Sequence, residues 1–517
     1  MHDHSYGMSY GMTTHIEEPR EDVTTRVGLL IDGDVVAGGA GSYPVTNPAR
    51  PGEVVLHAPS TSPAQLDRAV AAARRAQPAW AARSQDDRAA AVVAAAEAGV
   101  ALVEAKDLAR LLTREHGKTH LEAIFDTATI GGMAAAFAPV VADALAGREL
   151  SNGGTRIEWV PHGVVAAILP FNWPVSVMGN KVLPALLAGD TVVVKAPPTC
   201  PATVLLVAAA MAEALPAGVL NVVNGPDAAL GAALVGHPGV DMVSFTGGVG
   251  TGQAVMAAAA ATTRPIVLEL GGNDAAVLAP DVAGDRALAD RIVEAAFVTS
   301  GQVCMAIKRL YVHRGRVEET VDALAERLAG EVVGDGLAEG VTMGPVHTAR
   351  ARDRVEAMLA EAEDAGAAVL RPGRVRSEDE GSGGYFVSPA LVVAPPAESG
   401  IVRQEQFAPA LPVIPYDDIG EAVAAANATE FGLCASVWSN DDARAADVAG
   451  RLSAGTVFVN THGMSSIDMY APMGGWKQSG FGVELGSEGM QAFARQRVTV
   501  VRPGPAEQAA QFTEVGA

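Results

Sequence analysis

The sequence predicts an α/β protein built on two doubly wound parallel sheets. Short β-branched apolar runs alternate with helical stretches from residue 163 onward. The runs are apolar throughout rather than at every second residue, which is how strands buried on both faces read. A further series of such runs begins near residue 273 and calls for a second sheet. The length of 517 residues accommodates two or three domains.

Taken in order, GLLIDGDVVAGG (28–39) reads as a hairpin turning at Asp32-Gly33-Asp34. Residues 63–146 are alanine-rich with helical periodicity, and Ser62-Pro63 supplies an N-cap followed by proline at the first helical position. The first series of strands is GVVAAILPF (163–171), DTVVVKAP (190–197), GVLNVVNG (218–225), DMVSFTGG (241–248) and RPIVLELGG (264–272), with helices such as ATVLLVAAAMAEAL (202–215) between them. The second series is RLYVHRG (309–315), PALVVAP (389–395), LPVIPYDD (411–418), LCASVWSN (433–440) and GTVFVN (455–460). TRIEWVPHG (155–163) and RVTVVRP (497–503) look like strands without helical partners, and RVRSEDEGSGG (374–384) reads as a loop whose acidic run faces water.

A formal net charge of −22 argues against nucleic-acid and anionic-membrane partners. The longest apolar stretch noted, VVAAILPFNWPVSVMG (164–179), is interrupted by two prolines and Asn172, so no membrane span is expected. The opening 22 residues lack a basic and then apolar leader pattern and read as a disordered tail. Its His2, His4 and His15 are expected to bind metal only adventitiously. The three cysteines, Cys200, Cys304 and Cys434, are far apart and show no metal-ligand spacing. A reducing, cytoplasmic setting without a structural metal is expected.

Several segments join a reactive residue to loop-forming neighbours beside predicted strands. PFNWP (170–174) presents Asn172, whose amide can donate to a developing oxyanion. Lys195, one of only six lysines, ends the strand VVVK and suits a cofactor hydroxyl or phosphate; a surface lysine reads equally well. FTGGVGTG (245–252) places glycines between a strand and a helix, where backbone can approach a phosphate, although a tight turn alone would recruit them too. Glu269 ends an apolar run in which burial would raise its pKa and suit it as a base. Cys304, in SGQVCMAIKR (300–309), is a candidate nucleophile, whereas Cys200 and Cys434 read as packing residues.

PFNWP, VVVKAPP, FTGGVGTG, LELGG and GQVC, followed by EQFAPALPV (405–413), VFVN (457–460) and PMGGWKQSGFGVELG (472–486), occur in the order that resembles the NAD(P)-dependent aldehyde dehydrogenase superfamily. The resemblance spans about 28–500. It implies a disordered tail (1–22), a dinucleotide-binding domain (23–146 and 164–272), a catalytic domain (273–485) and a small β oligomerisation arm (147–163 and 486–505), assembled as a homodimer or homotetramer. It also implies roles for individual residues. Cys304 falls on the nucleophile, Glu269 on the general base, and Asn172 with the Cys304 N–H on the oxyanion hole. Lys181 and Glu484 fall on a proton relay. Lys195 falls on the adenosine ribose, Gly247, Gly248 and Gly252 on the pyrophosphate helix, and Glu405 and Phe407 on the nicotinamide ribose and ring. Phe171, Pro198 and Leu270 fall on the same cofactor surface. The implied reaction is oxidation of a small-molecule aldehyde to the acid through a thioester. A coenzyme A-acylating variant is disfavoured by Glu269, and a non-catalytic relative by the intact Cys304, Glu269 and Asn172.

Two departures bear on specificity. Pro198 stands where many NAD-using members carry a glutamate that repels a 2′-phosphate, yet no arginine lies nearby in sequence to attract one. The balance leans slightly to NAD over NADP, with dual use open. Val177, Asn180, Val298, Val303, His462 and Met464 suggest a fairly open pocket with some polarity, suited to an aromatic, hydroxylated or semialdehyde substrate.

Overall fold

The computed structural model describes residues 27–150 and 154–501. The tail expected at 1–22, residues 151–153 and residues 502–505 of the expected arm lie outside the described residues. An eight-stranded sheet runs in the order Asp34–Val36, Leu29–Ile31, Leu220–Val223, Thr191–Lys195, Val164–Ile168, Met242–Thr246, Ile266–Glu269 and Gly480–Phe481. Its five middle strands are mutually parallel. Val164–Ile168 and Thr191–Lys195 are buried at every position, as their unbroken apolar sequences require. The expected hairpin forms at the edge, where Asp32 (φ 59°) and Gly33 (φ 86°) make a two-residue turn in the left-handed region.

The second sheet has seven strands, in the order Ala368–Leu370, Ala390–Val393, Ala410–Tyr416, Ile307–His313, Asp274–Leu278, Cys434–Trp438 and Thr456–Val459. All but the first run parallel. One inner strand, Asp274–Leu278, is absent from the sequence expectation, because it follows Glu269 after only four residues. That short link sets the carboxyl end of the first sheet against the amino end of the second. A third, antiparallel sheet joins Thr155–Pro161 to Ala494–Val500 along seven positions, with Arg148–Glu149 on its other side.

The alanine-rich region forms helices Pro63–Ala81, Gln85–Lys106, Leu108–His116 and His120–Ala144. Ser62 caps the first through a reciprocal pair with Gln65. The last is, by length and composition alone, long and apolar enough to cross a bilayer, its most apolar window averaging a hydropathy of 1.5. In the fold it packs on helices Gln85–Lys106 and Pro174–Ala188. It also carries a buried charge. Asp126 pairs with Lys118 at 2.9 Å, and both side chains are fully buried. The other Asp126 oxygen accepts the Ser176 N–H at 2.8 Å, and the Lys118 ammonium lies 4.0 Å from the Trp173 ring. This cluster anchors the turn that presents Asn172. The acidic loop also departs from expectation at Asp379, which is buried and accepts the Asp335 N–H at 3.1 Å.

Candidate active site

Val164–Ile168 and Met242–Thr246 are neighbours, but the chain leaves them toward opposite edges of the sheet. A crevice opens outside the carboxyl ends of strands at such a reversal. Here it is a cavity of about 710 Å³. The first sheet contributes Phe171, Asn172, Lys195, Pro198, Gly247, Gly248 and Leu270 to its wall, and the second part of the chain contributes Cys304, Glu405 and Phe407. Residues that the sequence placed in separate segments thus meet in one cleft.

Lys195 is buried at the end of its strand, and among the described residues its ammonium has no hydrogen-bond or carboxylate partner. Burial lowers its pKa to about 8. Gly248 caps helix Val249–Ala260 without a side-chain bond, which leaves the first N–H groups of that helix uncovered by a cap. Gly252, one turn in, packs under Leu270; a Cβ there would stand 2.4 Å from Leu270 Cδ2. Only glycine permits this approach.

Cys304 is half-buried, three residues before strand Ile307–His313. Its loop passes through three consecutive left-handed residues, Thr299 (φ 52°), Ser300 (φ 55°) and Gly301 (φ 71°). Such backbone is costly for a β-branched residue, and it is held from several directions. Thr299 N–H donates to Glu122 Oε1 (2.5 Å), and Ser300 Oγ donates to the Gly344 carbonyl (2.7 Å). Gln302 Oε1 accepts the His347 N–H (2.8 Å), and Asn172 Nδ2 donates to the Gln302 carbonyl (2.9 Å). Burial pushes the Cys304 thiol up to about 12; Lys308 opposes this, and Glu269, Glu405 and Asp274 add to it.

Glu269 is buried, and among the described residues its Oε1 has no hydrogen-bond partner. Burial raises its pKa well above the usual range; Glu484 raises it further and Lys181 lowers it. Lys181, fully buried, donates to Glu484 Oε1 at 2.5 Å and to Ser244 Oγ at 2.9 Å. Glu269, Lys181 and Glu484 therefore form one electrostatic cluster. Glu405 accepts the Gly272 N–H at 3.0 Å, and its pKa is raised by burial.

Of the residues expected to line a substrate pocket, Val177, Val298, Val303 and Met464 share an apolar cluster with Cys304 and Trp173. Asn180 lies one turn beyond Val177 on helix Pro174–Ala188, and its Oδ1 is buried without a protein partner. His462 sits apart from open space: its side chain is fully buried, 3.1 Å from the Met305 carbonyl and 3.6 Å from Asp274 Oδ2. Three supporting groups stand outside the residues singled out from sequence. Glu122 and Lys308 hold the cysteine loop. His347 stacks on Phe171 with centroids 4.4 Å apart and reaches Thr199 Oγ1 at 2.6 Å. Glu122 and His347 reach the site only through contacts distant in sequence, whereas Lys308 lies four residues from Cys304.

Comparison with known proteins places nearly the whole chain in a family. The family model described as the aldehyde dehydrogenase family matches residues 35–499. A 3,6-anhydro-alpha-L-galactose dehydrogenase of Streptomyces coelicolor is 38% identical, with 89% of this chain and 93% of that protein aligned. A betaine aldehyde dehydrogenase of Rhizobium meliloti is 36% identical over 92% of this chain and 98% of its own length. Among solved structures, betaine aldehyde dehydrogenase of Staphylococcus aureus in complex with NAD+ superposes with a TM-score of 0.87 at 31% identity, covering 95% and 98% of the two chains. An aldehyde dehydrogenase C mutant of Pseudomonas syringae, in complex with NAD+ and octanal, does so with a TM-score of 0.85 at 37% identity, covering 93% and 98%. The chain belongs to the aldehyde dehydrogenase family and is an NAD(P)-dependent aldehyde oxidoreductase.

Proposed function

We propose that this chain oxidises an aldehyde to its carboxylic acid through a covalent thioester on Cys304. The observation that carries the reading is the convergence of Cys304, Asn172, Glu405, Phe407 and Lys195 on a single cleft. The Cys304 sulfur attacks the carbonyl carbon, and the oxyanion is met by the Asn172 amide and the Cys304 N–H. Glu269, one of whose oxygens has no hydrogen-bond partner among the described residues, takes a proton from water as that water attacks the thioester, and the acid leaves. Lys181 and Glu484 pass the proton onward from Glu269. In this scheme residues 23–146 and 164–272 hold the dinucleotide and 273–485 carry the catalytic groups.

The cleft fits a dinucleotide on its own features: its volume, the unpartnered Lys195 ammonium and the uncapped helix start at Gly248. Lys195 and Pro198 would face the adenosine ribose, Gly247, Gly248 and Gly252 the pyrophosphate, and Glu405 and Phe407 the nicotinamide side. Bound there, the nicotinamide supplies the hydride acceptor that turns the thiohemiacetal on Cys304 into a thioester. With no carboxylate at position 198 and no arginine near it in sequence, we favour NAD over NADP. The apolar cluster of Trp173, Val177, Val298 and Met464 supports an uncharged aliphatic or aromatic aldehyde. The three free cysteines support a cytoplasmic location.

Nicotinamide reduction is expected with at least one member of a panel of aliphatic, aromatic and hydroxylated aldehydes, and none with Cys304→Ala. Undiminished turnover in that variant would remove the cysteine from the mechanism. A pH series tests Lys195. Its pKa of about 8 means that the charge is present below that pH and lost above it. A 2′-phosphate needs that charge more than a ribose hydroxyl does. The ratio of kcat/KM for NADP+ to that for NAD+ should therefore fall by up to about tenfold between pH ~7 and ~9, since kcat/KM reports the free enzyme. Taking the ratio cancels the titration of the catalytic groups, and a flat ratio would contradict the placement of Lys195.

Among the described residues the edge strand Ala494–Val500 is paired on one side only, and Val498, Val500 and Val501 are more than half exposed. Such an edge needs a cover, which supports assembly into a homodimer or homotetramer. Light scattering should return a multimer mass; a monomer mass would refute this.

A further inference from the structure

Lys308 has no part in the reaction as described, yet it is 2% exposed and sits four residues from the nucleophile. Its ammonium donates to the carbonyls of Val303 (2.8 Å) and Cys304 (2.6 Å), reaches that of Ala306 at 3.5 Å, and lies 3.6 Å from Glu405 Oε1. An ammonium has three hydrogens. Two serve the cysteine loop, which leaves the third for Glu405 and the distant Ala306 carbonyl. The segment around Glu405 grips the same lysine at three consecutive residues. Glu405 pairs with its ammonium, Gln406 Nε2 donates to its main-chain carbonyl (3.0 Å), and the Phe407 ring lies 5.9 Å from its Nζ. The sheet forces this meeting, because strands Ile307–His313 and Ala410–Tyr416 are parallel neighbours.

We propose that Lys308 is a positioning residue that couples Glu405, on the cofactor side of the cleft, to the loop that carries the Cys304 thiol. The inference rests on the reading of Cys304 as nucleophile and Glu405 as a cofactor contact. One cation is shared between a carboxylate and two carbonyls of the reactive loop. When a ribose draws on Glu405, the cation is less neutralised and acts more strongly on the thiol. The charged groups acting on Cys304 are Lys308, which favours its ionised form, and Glu269, Glu405 and Asp274, which oppose it. Among them only the lysine assists ionisation, so the reactivity of the thiol follows the state of its partner carboxylate.

The test is alkylation of Cys304 by iodoacetamide between pH ~6 and ~10, with and without NAD+, with the modified cysteine located by peptide mass. Wild-type protein should react faster with NAD+ bound. In Lys308→Met the rate at a given pH should fall at least about tenfold, because removing a close opposite charge moves a pKa by about one to three units. The response to NAD+ should shrink below about twofold. Lys308→Gln keeps a donor for the loop without the charge. It should melt near the wild-type temperature and keep the aldehyde KM, while kcat and the alkylation rate stay low; it also serves if Lys308→Met does not fold. Glu405→Gln, with Lys308 intact, should raise the alkylation rate without NAD+ and blunt the response to it. A wild-type pH profile and NAD+ response in a folded Lys308 variant, or no change with Glu405→Gln, overturns the coupling. If wild-type Cys304 is itself not alkylated while another cysteine is, the nucleophile assignment fails instead.

Discussion

The site depends on holding a backbone where it does not go by itself. Thr299, Ser300 and Gly301 form a left-handed triplet that ends three residues before the reactive cysteine, and each non-glycine residue there costs about 1–3 kcal/mol. The triplet persists because its surroundings over-determine it. Glu122 comes from the helical layer over the first sheet, Asn172 from the turn after strand Val164–Ile168, Gly344 and His347 from a loop of the second part, and Lys308 from the strand that follows. No single sheet supplies all of these contacts. The Lys118–Asp126 pair belongs to the same logic, since it fixes helix His120–Ala144 to the start of helix Pro174–Ala188 and so sets Glu122 and Asn172 relative to each other.

Burial then sets the electrostatic state. It raises the pKa of Cys304, Glu269 and Glu405 alike, so burial works against the ionised form of each. Two buried lysines oppose this trend, one for each end of the proposed reaction. Lys308 favours the ionised thiol for attack, and Lys181, paired with Glu484, favours the ionised Glu269 for hydrolysis. This division between two lysines suits a reaction that uses a nucleophile first and a base afterwards.

Much of this was legible in the sequence, and the division is physical. Asn172, Lys195 and Glu269 stand at strand ends among turn residues, so local pattern alone marked them as candidates, and the order of the segments marked Cys304. Lys308 carried no such mark: it stands just before the expected strand RLYVHRG, and it meets Glu405, 97 residues later, only in the folded chain. Glu122 closes a capping box with Thr119, and nothing local in the sequence reveals that its other oxygen reaches Thr299, 177 residues away. His462 was misjudged for the same reason, because Asp274 and the Met305 carbonyl enclose it only in the folded chain. Asp274–Leu278 is absent from the expectation because it follows Glu269 after only four residues.

The central claim is that Cys304 forms a thioester which Glu269 then hydrolyses. The measurement that reaches it most directly is the intact mass of Glu269→Gln protein, acid-quenched after mixing with NAD+ and an accepted aldehyde. The account predicts that hydrolysis slows by about 10²–10⁴-fold, that one equivalent of reduced nicotinamide forms rapidly, and that the protein gains the mass of one acyl group on the peptide containing Cys304. Full turnover without an adduct, or an adduct on another residue, would contradict it.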